Sequence, residues 1–323
     1  MAFTSSAGYA NLPNGNFVPQ IFSQKVLKFF RRSSVIEDIT NTDYAGEIEN
    51  FGDTVKIIKE PQITVRSYTR GASVATEDLL DEQVTMTVDQ GNYFAFKVDD
   101  VEERHSHINF EALATSSGAY ALKRKYDANV LLDMTTGAGI AGNATDEATG
   151  ATITDSNLGT HSSVIDVDHA TTGGDSALNL MSLMAQKLDE NNVPEDGRWF
   201  IAPPFFYRNL QKADSKVIQV QITGDAVSPI RNGRVQDGTL YGMSMYKTNA
   251  LDDSTTGLDV VNPGTAGKYY VLAGHMSSTA TASHISKTEV VRDTESFSDI
   301  IRGLHIFGRK VLRKESLCLG VVG

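Results

Sequence analysis

QVTMTVDQGNYFAFKVDDVEERHSHINFEALATSSGAYALKRKYD, residues 83–127, changes its hydrophobic period once along its length. In the first part apolar residues alternate with others: Val84, Met86 and Val88 with Thr85 and Thr87, then Phe94, Phe96 and Val98 with Ala95 and Lys97. A period of two is that of a half-buried strand. Asp89-Gln90-Gly91-Asn92 lies between the two runs and predicts a hairpin turn joining them. From Ile108 to Met134 the pattern becomes helical, with no proline and one glycine, Gly118. At 1.5 Å per residue such a helix spans roughly 40 Å. Its first half is rich in Ala, Ser and Gly, which lets other elements approach closely.

Before this stretch, VIEDIT, DTVKIIKE and ITVRSYTR also read as β-like, and TRGASVATEDLLDEQ reads as a charged, polar tip between strands. A long two-stranded hairpin is marginal alone in water. It must lie against the rest of this chain or against a neighbouring chain. Residues 1–17 read as an extended arm, and Ile21, Phe22, Val26, Phe29 and Phe30 predict a helix near 18–33 that opens at Pro19.

After the long helix, the Gly/Thr/Asp/Ala tract 135–175 reads as loop or irregular β insertion. Ala177, Leu180, Met181, Met184 and Leu188 define an amphipathic helix that stops before Pro194. Arg198-Trp199-Phe200-Ile201-Ala202 reads as a short buried strand, and PFFYRNLQKA as a helix with Pro204 in its first turn. This helix–strand–helix order suggests an α/β lobe. KVIQVQI, TLYGMSMYKT and KYYVLAGH read as further strands, and the C-terminal stretch from Lys287 as a long β-hairpin and a final buried strand. The aromatics Trp199, Phe200, Phe205 and Phe206 fall at spacings that suit a core rather than a ligand pocket. The turn Pro194-Glu195-Asp196-Gly197 is left as a surface that can face a neighbouring subunit.

The chain has 323 residues, 40 % hydrophobic and 21 % charged, which suits a globular protein with a sizeable core. No apolar run is long enough to span a membrane, and the first residues lack the pattern of a secretory signal. The single cysteine, Cys318, excludes an intramolecular disulfide, fits maturation in a reducing cytosol, and sits in an apolar run as a buried structural thiol. The formal net charge of -11 disfavours general nucleic-acid binding. That charge is uneven. Residues 1–34 hold Lys25, Lys28, Arg31 and Arg32 without an acid, Asp133 to Asp196 is strongly acidic, and Arg302, Arg309, Lys310, Arg313 and Lys314 make the C-terminal stretch basic.

Chemical motifs are weak. Gly137-Ala138-Gly139-Ile140-Ala141-Gly142 matches a dinucleotide spacing, but a helix precedes it where a strand is required, so it reads as a flexible loop. Gly264-Thr265-Ala266-Gly267-Lys268-Tyr269 is too short for a phosphate loop and has Tyr269 where a magnesium-holding hydroxyl belongs. His105 and His107, on one face of a strand beside Glu102 and Glu103, fall short of a zinc set. Asp155, Asp166 and Asp168 lack the order of a calcium loop. Asn143-Ala144-Thr145 is a formal sequon without a secretory context. No catalytic, cofactor-binding or metal residue is assigned.

The order of elements is more informative. FGDTVKIIKEPQITVRSYTRG (51–71) with residues 83–110 resembles the extended loop of tailed-phage major capsid proteins of the Hong Kong 97 fold, returning into their spine helix. FEALATSSGAYALKRKYD resembles the spine helix itself. NVPEDGRWFIAPPFFYRNLQKAD resembles the axial strand–helix, where many such proteins carry an xRxxVxxPxxxxxL pattern. IRGLHIFGRKVLRKESLCLGV resembles the closing strands.

The resemblance implies an α+β fold with an N-terminal arm and helix at 1–34, an extended β-hairpin loop at 35–100, and a peripheral domain with spine helix at 101–135. A loop or insertion at 136–175, an axial domain at 176–274, and a peripheral hairpin with closing strand at 275–323 complete it. It implies hexamers and pentamers of this chain, built with a scaffolding protein and a portal protein, filled with double-stranded DNA, and open to a decoration protein outside. Assembly in the bacterial host cytoplasm and no catalysis go with it. An encapsulin-like nanocompartment shell, another virion component, and a soluble enzyme are the competing readings.

Overall fold

The computed structural model describes residues 34–44, 54–58, 60, 63–71, 73–74, 76, 83–100, 110–141, 158–160, 163–167, 177–210, 239–251, 261 and 267–323. The expected helix near 18–33 and the expected strand at KVIQVQI lie outside them.

The six-stranded sheet is buried on both faces. It comprises β4 (Ile140–Ala141), β5 (Arg198–Ala202), β6 (Thr239–Leu240), β7 (Met243–Lys247), β8 (Tyr269–His275) and β11 (Leu317–Val322), in the order β4-β11-β8-β5-β7-β6. Pairing is parallel at β4–β11 and β5–β7 and antiparallel elsewhere. Side chains alternate between two cores. Phe200, Ala202, Val271, Ala273, Cys318 and Val322 face one. Trp199, Ile201, Tyr270, Leu272, Leu317, Leu319 and Val321 face the other. Strands covered on both sides read as continuous apolar runs, which is why RWFIA and LCLGVV lack alternation.

Helix α3 (Ala177–Glu190) and helix α4 (Pro204–Leu210) cover the first face through Leu180, Met181, Met184, Leu188 and Phe206. The other face is covered by helix α1 (Ile36–Ile39) and by the C-terminal half of helix α2 (Phe110–Gly137), through Ala128, Val130, Leu131 and Met134. The N-terminal half of α2 leaves this sheet and packs on a second one. That sheet has three antiparallel strands, β3 (Gln90–Asp99), β9 (Thr279–Arg292) and β10 (Ser298–Val311), in the order β3-β10-β9. Contact is close because glycines flank one ring. A Cβ on Gly118 of α2 would stand 2.8 Å from Phe94, and one on Gly303 of β10 would clash with the same ring. One helix thus ties the two sheets together.

β1 (Thr54–Ile58) and β2 (Gln83–Thr87) form a separate antiparallel pair. Its base is anchored in a third small core of Val55, Met86, Val88, Ala280, Ala282 and Ile306.

Four sequence expectations are corrected. The turn at residues 89–92 does not join β2 to β3. β2 pairs with β1, and β3 starts at Gln90 and pairs with β10. A two-residue hairpin needs positive φ at its centre, and neither Gln90 nor Gly91 has it. VIEDIT is not a strand: Ile36 and Ile39 are both fully buried, and one helical turn puts both on the same side. Thr40 closes that turn by donating its hydroxyl to the Ile36 carbonyl at 2.8 Å. TLYGMSMYKT is two strands, reversed at Tyr241 and Gly242 with φ of 53° and 73°, the signature of a tight hairpin turn. The tract 135–175 is only partly loop. The long helix runs on to Gly137, β4 pairs with β11, Ile165 bridges Val322, and Leu158, Ile165 and Val167 enter the core. Gly137 ends a helix and the strand β4 follows it, so this glycine run has neither the order of a nucleotide loop nor the freedom of a flexible one.

Candidate assembly surface

Among the described residues no group of three or more His, Cys, Asp or Glu can hold a metal ion. His105, His107, Asp155, Asp168 and the sequon lie outside them. Asp166 stands beside the core residues Ile165 and Val167, away from any such group. Cys318 is buried, as expected for a structural thiol. Trp199, Phe200 and Phe206 are almost wholly buried, and Phe200 and Phe206 pack with ring centroids 5.4 Å apart. They are core.

The surface features are more telling. Residues 63–71, 73, 74 and 76 lie between β1 and β2, form no strand although ITVRSYTR reads as β-like, and are exposed throughout. Ile63, Val65, Tyr68 and Val74 are each at least 70 % exposed. Four large apolar side chains left in water within a dozen residues, interleaved with Thr64, Arg66, Ser67, Thr69 and Arg70, suit a surface that another chain covers.

The three-stranded sheet has one face under α2 and one in solvent. Phe94, Phe96 and Val98 point one way; Tyr93, Ala95 and Lys97 point the other and are exposed. On the open face Tyr93 stands opposite Leu304, and Ala95 opposite Arg302. Arg302 pairs across the strands with Glu289 at 2.5 Å, and Lys287 with the same carboxylate at 3.2 Å. These cations hold the Glu289 carboxyl below its ordinary range, Arg302 foremost. At the far end Arg292 bridges Asp100 at 2.5 Å and Asp299 at 3.0 Å, and Lys97 pairs with Asp293. Hydrogen bonds from Lys97 and Ser296 hold the Asp293 carboxyl well below the usual carboxylate range. This surface is mainly charged, with its ion pairs fixed in register around Tyr93, Ala95 and Leu304, as at a specific contact.

A cleft of about 440 Å³ opens between α2 and the β9–β10 strands, lined by Phe94, Leu122, Lys123, Tyr126, Leu304 and His305 among others. Tyr126 packs edge-on against both Phe307 and His305. Burial lowers the His305 pKa and raises that of Tyr126. Deeper in, Arg309 crosses from β10 to Asp133 of α2 at 2.6 Å and lies over the Phe307 ring. Its Nε and Nη1 are not aligned for hydrogen bonds there, so charge attraction and the ring contact hold it.

The turn before β5 is pinned on both sides. Buried Arg198 donates to the Pro194 carbonyl at 2.8 Å and the Val193 carbonyl at 2.5 Å, and pairs with Asp189 at 2.7 Å. His275 Nε2 donates to the Asp196 carbonyl at 2.7 Å, since its Nδ1 accepts from the Ser277 backbone at 3.1 Å. Gly197 takes φ of 82° beside that ring. Pro194, Glu195 and Asp196 are therefore presented outward in one fixed shape, with Arg198 serving structure rather than chemistry.

The chain matches the family described as "Phage capsid protein" over residues 81–319. A comparison with curated proteins found no match. Among solved structures it is similar to one from Mycobacterium phage Che8, at 26 % identity, covering 94 % of this chain and 97 % of that one, with a TM-score of 0.74. The capsid structure of the cyanophage P-SCSP1u matches at 18 % identity, over 95 % of this chain and 93 % of that one, with a TM-score of 0.68. The mature capsid of bacteriophage PhiM1 matches at 14 % identity, over 98 % of each chain, with a TM-score of 0.65. The chain belongs to the phage capsid protein family and is a major capsid protein of the Hong Kong 97 fold, a subunit of the shell of a tailed phage.

Proposed function

We propose that this subunit closes into hexamers and pentamers of an icosahedral head, with a separate scaffolding protein and a portal protein, and that the head encloses double-stranded DNA without reading its sequence. A decoration protein is a further partner on the outer surface. The subunit performs no chemistry and assembles in the host cytoplasm. In this reading residues 1–34 are an arm, 35–100 an extended loop, 101–135 and 275–323 the peripheral domain, and 176–274 the axial domain, with 136–175 as an insertion.

The exposed segment around Ile63, Val65, Tyr68 and Val74 carries the reading: its own chain leaves it uncovered. Obligate interfaces bury about 2,000–5,000 Å² and are rich in apolar surface, and laying this segment over a neighbour supplies such surface. The net charge of -11 fits a container, because tight phosphate binding would hinder filling and release. Electron microscopy of the expressed chain, alone and with a scaffold, tests it. Closed shells or curved sheets are expected, and a monomer that never associates under any condition would refute it. Genome-length DNA inside purified particles would distinguish a virion from a cargo compartment.

A further inference from the structure

His305 of β10 sits where the N-terminal half of α2 meets the three-stranded sheet. Its ring stacks on Phe307 at 5.3 Å and stands edge-to-face with Tyr126 at 5.4 Å. Nε2 lies 2.7 Å from the Ser283 hydroxyl, whereas Nδ1 is buried without a hydrogen-bond partner. The neutral ring therefore carries its proton on Nε2, donating to Ser283, and leaves Nδ1 bare. Directly across on β3, and on the same face, Asn92 has its own Nδ2 buried and unpartnered. Side chains opposite each other on paired strands stand about 5 Å apart, so β3 sets a buried donor beside the ring and no carboxylate.

A second proton, on Nδ1, would meet no acceptor. From α2, Lys123 is paired with Glu37 of α1 at 3.0 Å, and Asp127 accepts from the Ser34 hydroxyl at 2.7 Å. Further along β10, Arg309 holds Asp133 of α2 at 2.6 Å and lies over Phe307, so the ring that could soften a charge on His305 already carries one. Near His305, β9 contributes Thr281, Ser283 and Thr288, while its Lys287 and Glu289 pair with each other, and Glu289 with Arg302, on the opposite face. The carboxylates around the ring are thus engaged elsewhere, and burial makes His305 a weaker base than an ordinary imidazole. A charged donor buried without a partner is costly. We propose that His305 is an acid-sensitive latch: protonating it loosens the N-terminal half of α2 from the three-stranded sheet. Since α2 ties the two sheets together, release frees the small sheet to shift against the large one. The stabilisation is whole above the usual imidazole pKa of about 6.5 and is lost as pH falls from there through the lowered value of the folded chain. The latch belongs to the folded subunit and holds whether or not shells form.

The test titrates the unassembled full chain, labelled with carbon-13 at histidine Cε1, by NMR; the resonance missing from His305→Gln identifies the ring. Its midpoint is expected below about 6.5, and a midpoint at or above that value overturns the proposal. Hydrogen exchange read by mass spectrometry, corrected for its intrinsic pH dependence, is then compared at about pH 7.5 and about pH 5. Protection across residues 110–126 is expected to fall at least about threefold on acidification in the parent and not in His305→Gln, where every other histidine, His284 of β9 included, stays in place. No loss in the parent, or an equal loss in the variant, overturns it. Asn92→Asp supplies the missing acceptor and is expected to raise the His305 midpoint above the parent's and to remove the acid loss. A folded Asn92→Asp chain that keeps either the parent's midpoint or its acid sensitivity overturns the role given to Nδ1. Should His305→Gln not fold, the resonance that Asn92→Asp moves identifies the ring instead.

Discussion

Replacing Phe206 by alanine tests whether the aromatics after β5 are core. Phe206 is fully buried, tilted against Phe200 at 5.4 Å and edge-on to Tyr207 at 6.3 Å. A buried phenylalanine removes about 150–250 Å² from water. At about 25 cal/mol per Å² that is about 4–6 kcal/mol, an upper bound because the unfolded chain is partly compact. Alanine retains a little of this and leaves a cavity, so the expected loss is about 3–5 kcal/mol. Phe205, one residue earlier, is the control. It is only half-buried, stacked on Tyr269 at 4.3 Å with the Arg208 guanidinium 5.3 Å from its ring. Its loss should cost about 1–1.5 kcal/mol. The assay is urea unfolding of the unassembled subunit, read by the fluorescence of Trp199, the only tryptophan and one that is 1 % exposed. Phe205→Ala costing as much as Phe206→Ala, or Phe206→Ala costing under about 1 kcal/mol, would refute the assignment of the inward face.

Replacing residues 60–81 with a short Gly-rich turn should keep β1 and β2 paired and circular dichroism native while shells fail to form in the electron microscope; loss of the fold would show that the segment belongs to the subunit's own core. Asp133→Ala strands the Arg309 charge, whose side chain is 13 % exposed, and should cost about 2–4 kcal/mol in urea unfolding. The double variant with Arg309→Met should recover part of that loss. Asp293 is favoured in its charged form by folding, so its contribution is present above the ordinary carboxylate pKa and lost only as pH falls through the lowered one. The 293–298 turn should stay ordered at about pH 4, checked by carbon-13 titration of the Asp293 carboxyl; a midpoint at or above about 3.9 would contradict the pairing with Lys97.

Local periodicity was enough for α2, α3, β5, α4 and the final β9–β10–β11 run, because burial on one or both faces writes a period into the chain. It was also enough to show that Trp199 and Phe206 were core and that the glycine run begins at the end of a helix rather than of a strand, though not that part of it is a strand. The candidate surface was legible only in part. A long unsupported hairpin called for a partner, but the exposed ring of Phe297 and the cleft under Tyr126 were invisible. A lone phenylalanine in a strand-like stretch looks the same whether it points into a core or into water.

What the sequence by itself determined was which residues prefer strand or helix and which must leave water. Strand pairing was a tertiary decision. QVTMTVD and YFAFKVDD are adjacent and alternating, and a hairpin between them was the local choice. The fold instead gives β2 to β1 and β3 to β10, more than 190 residues away, because that register sets Phe94 between Gly118 and Gly303 and closes a sheet under the long helix. Sequence patterns record which face is buried; only the assembled chain decides what buries it.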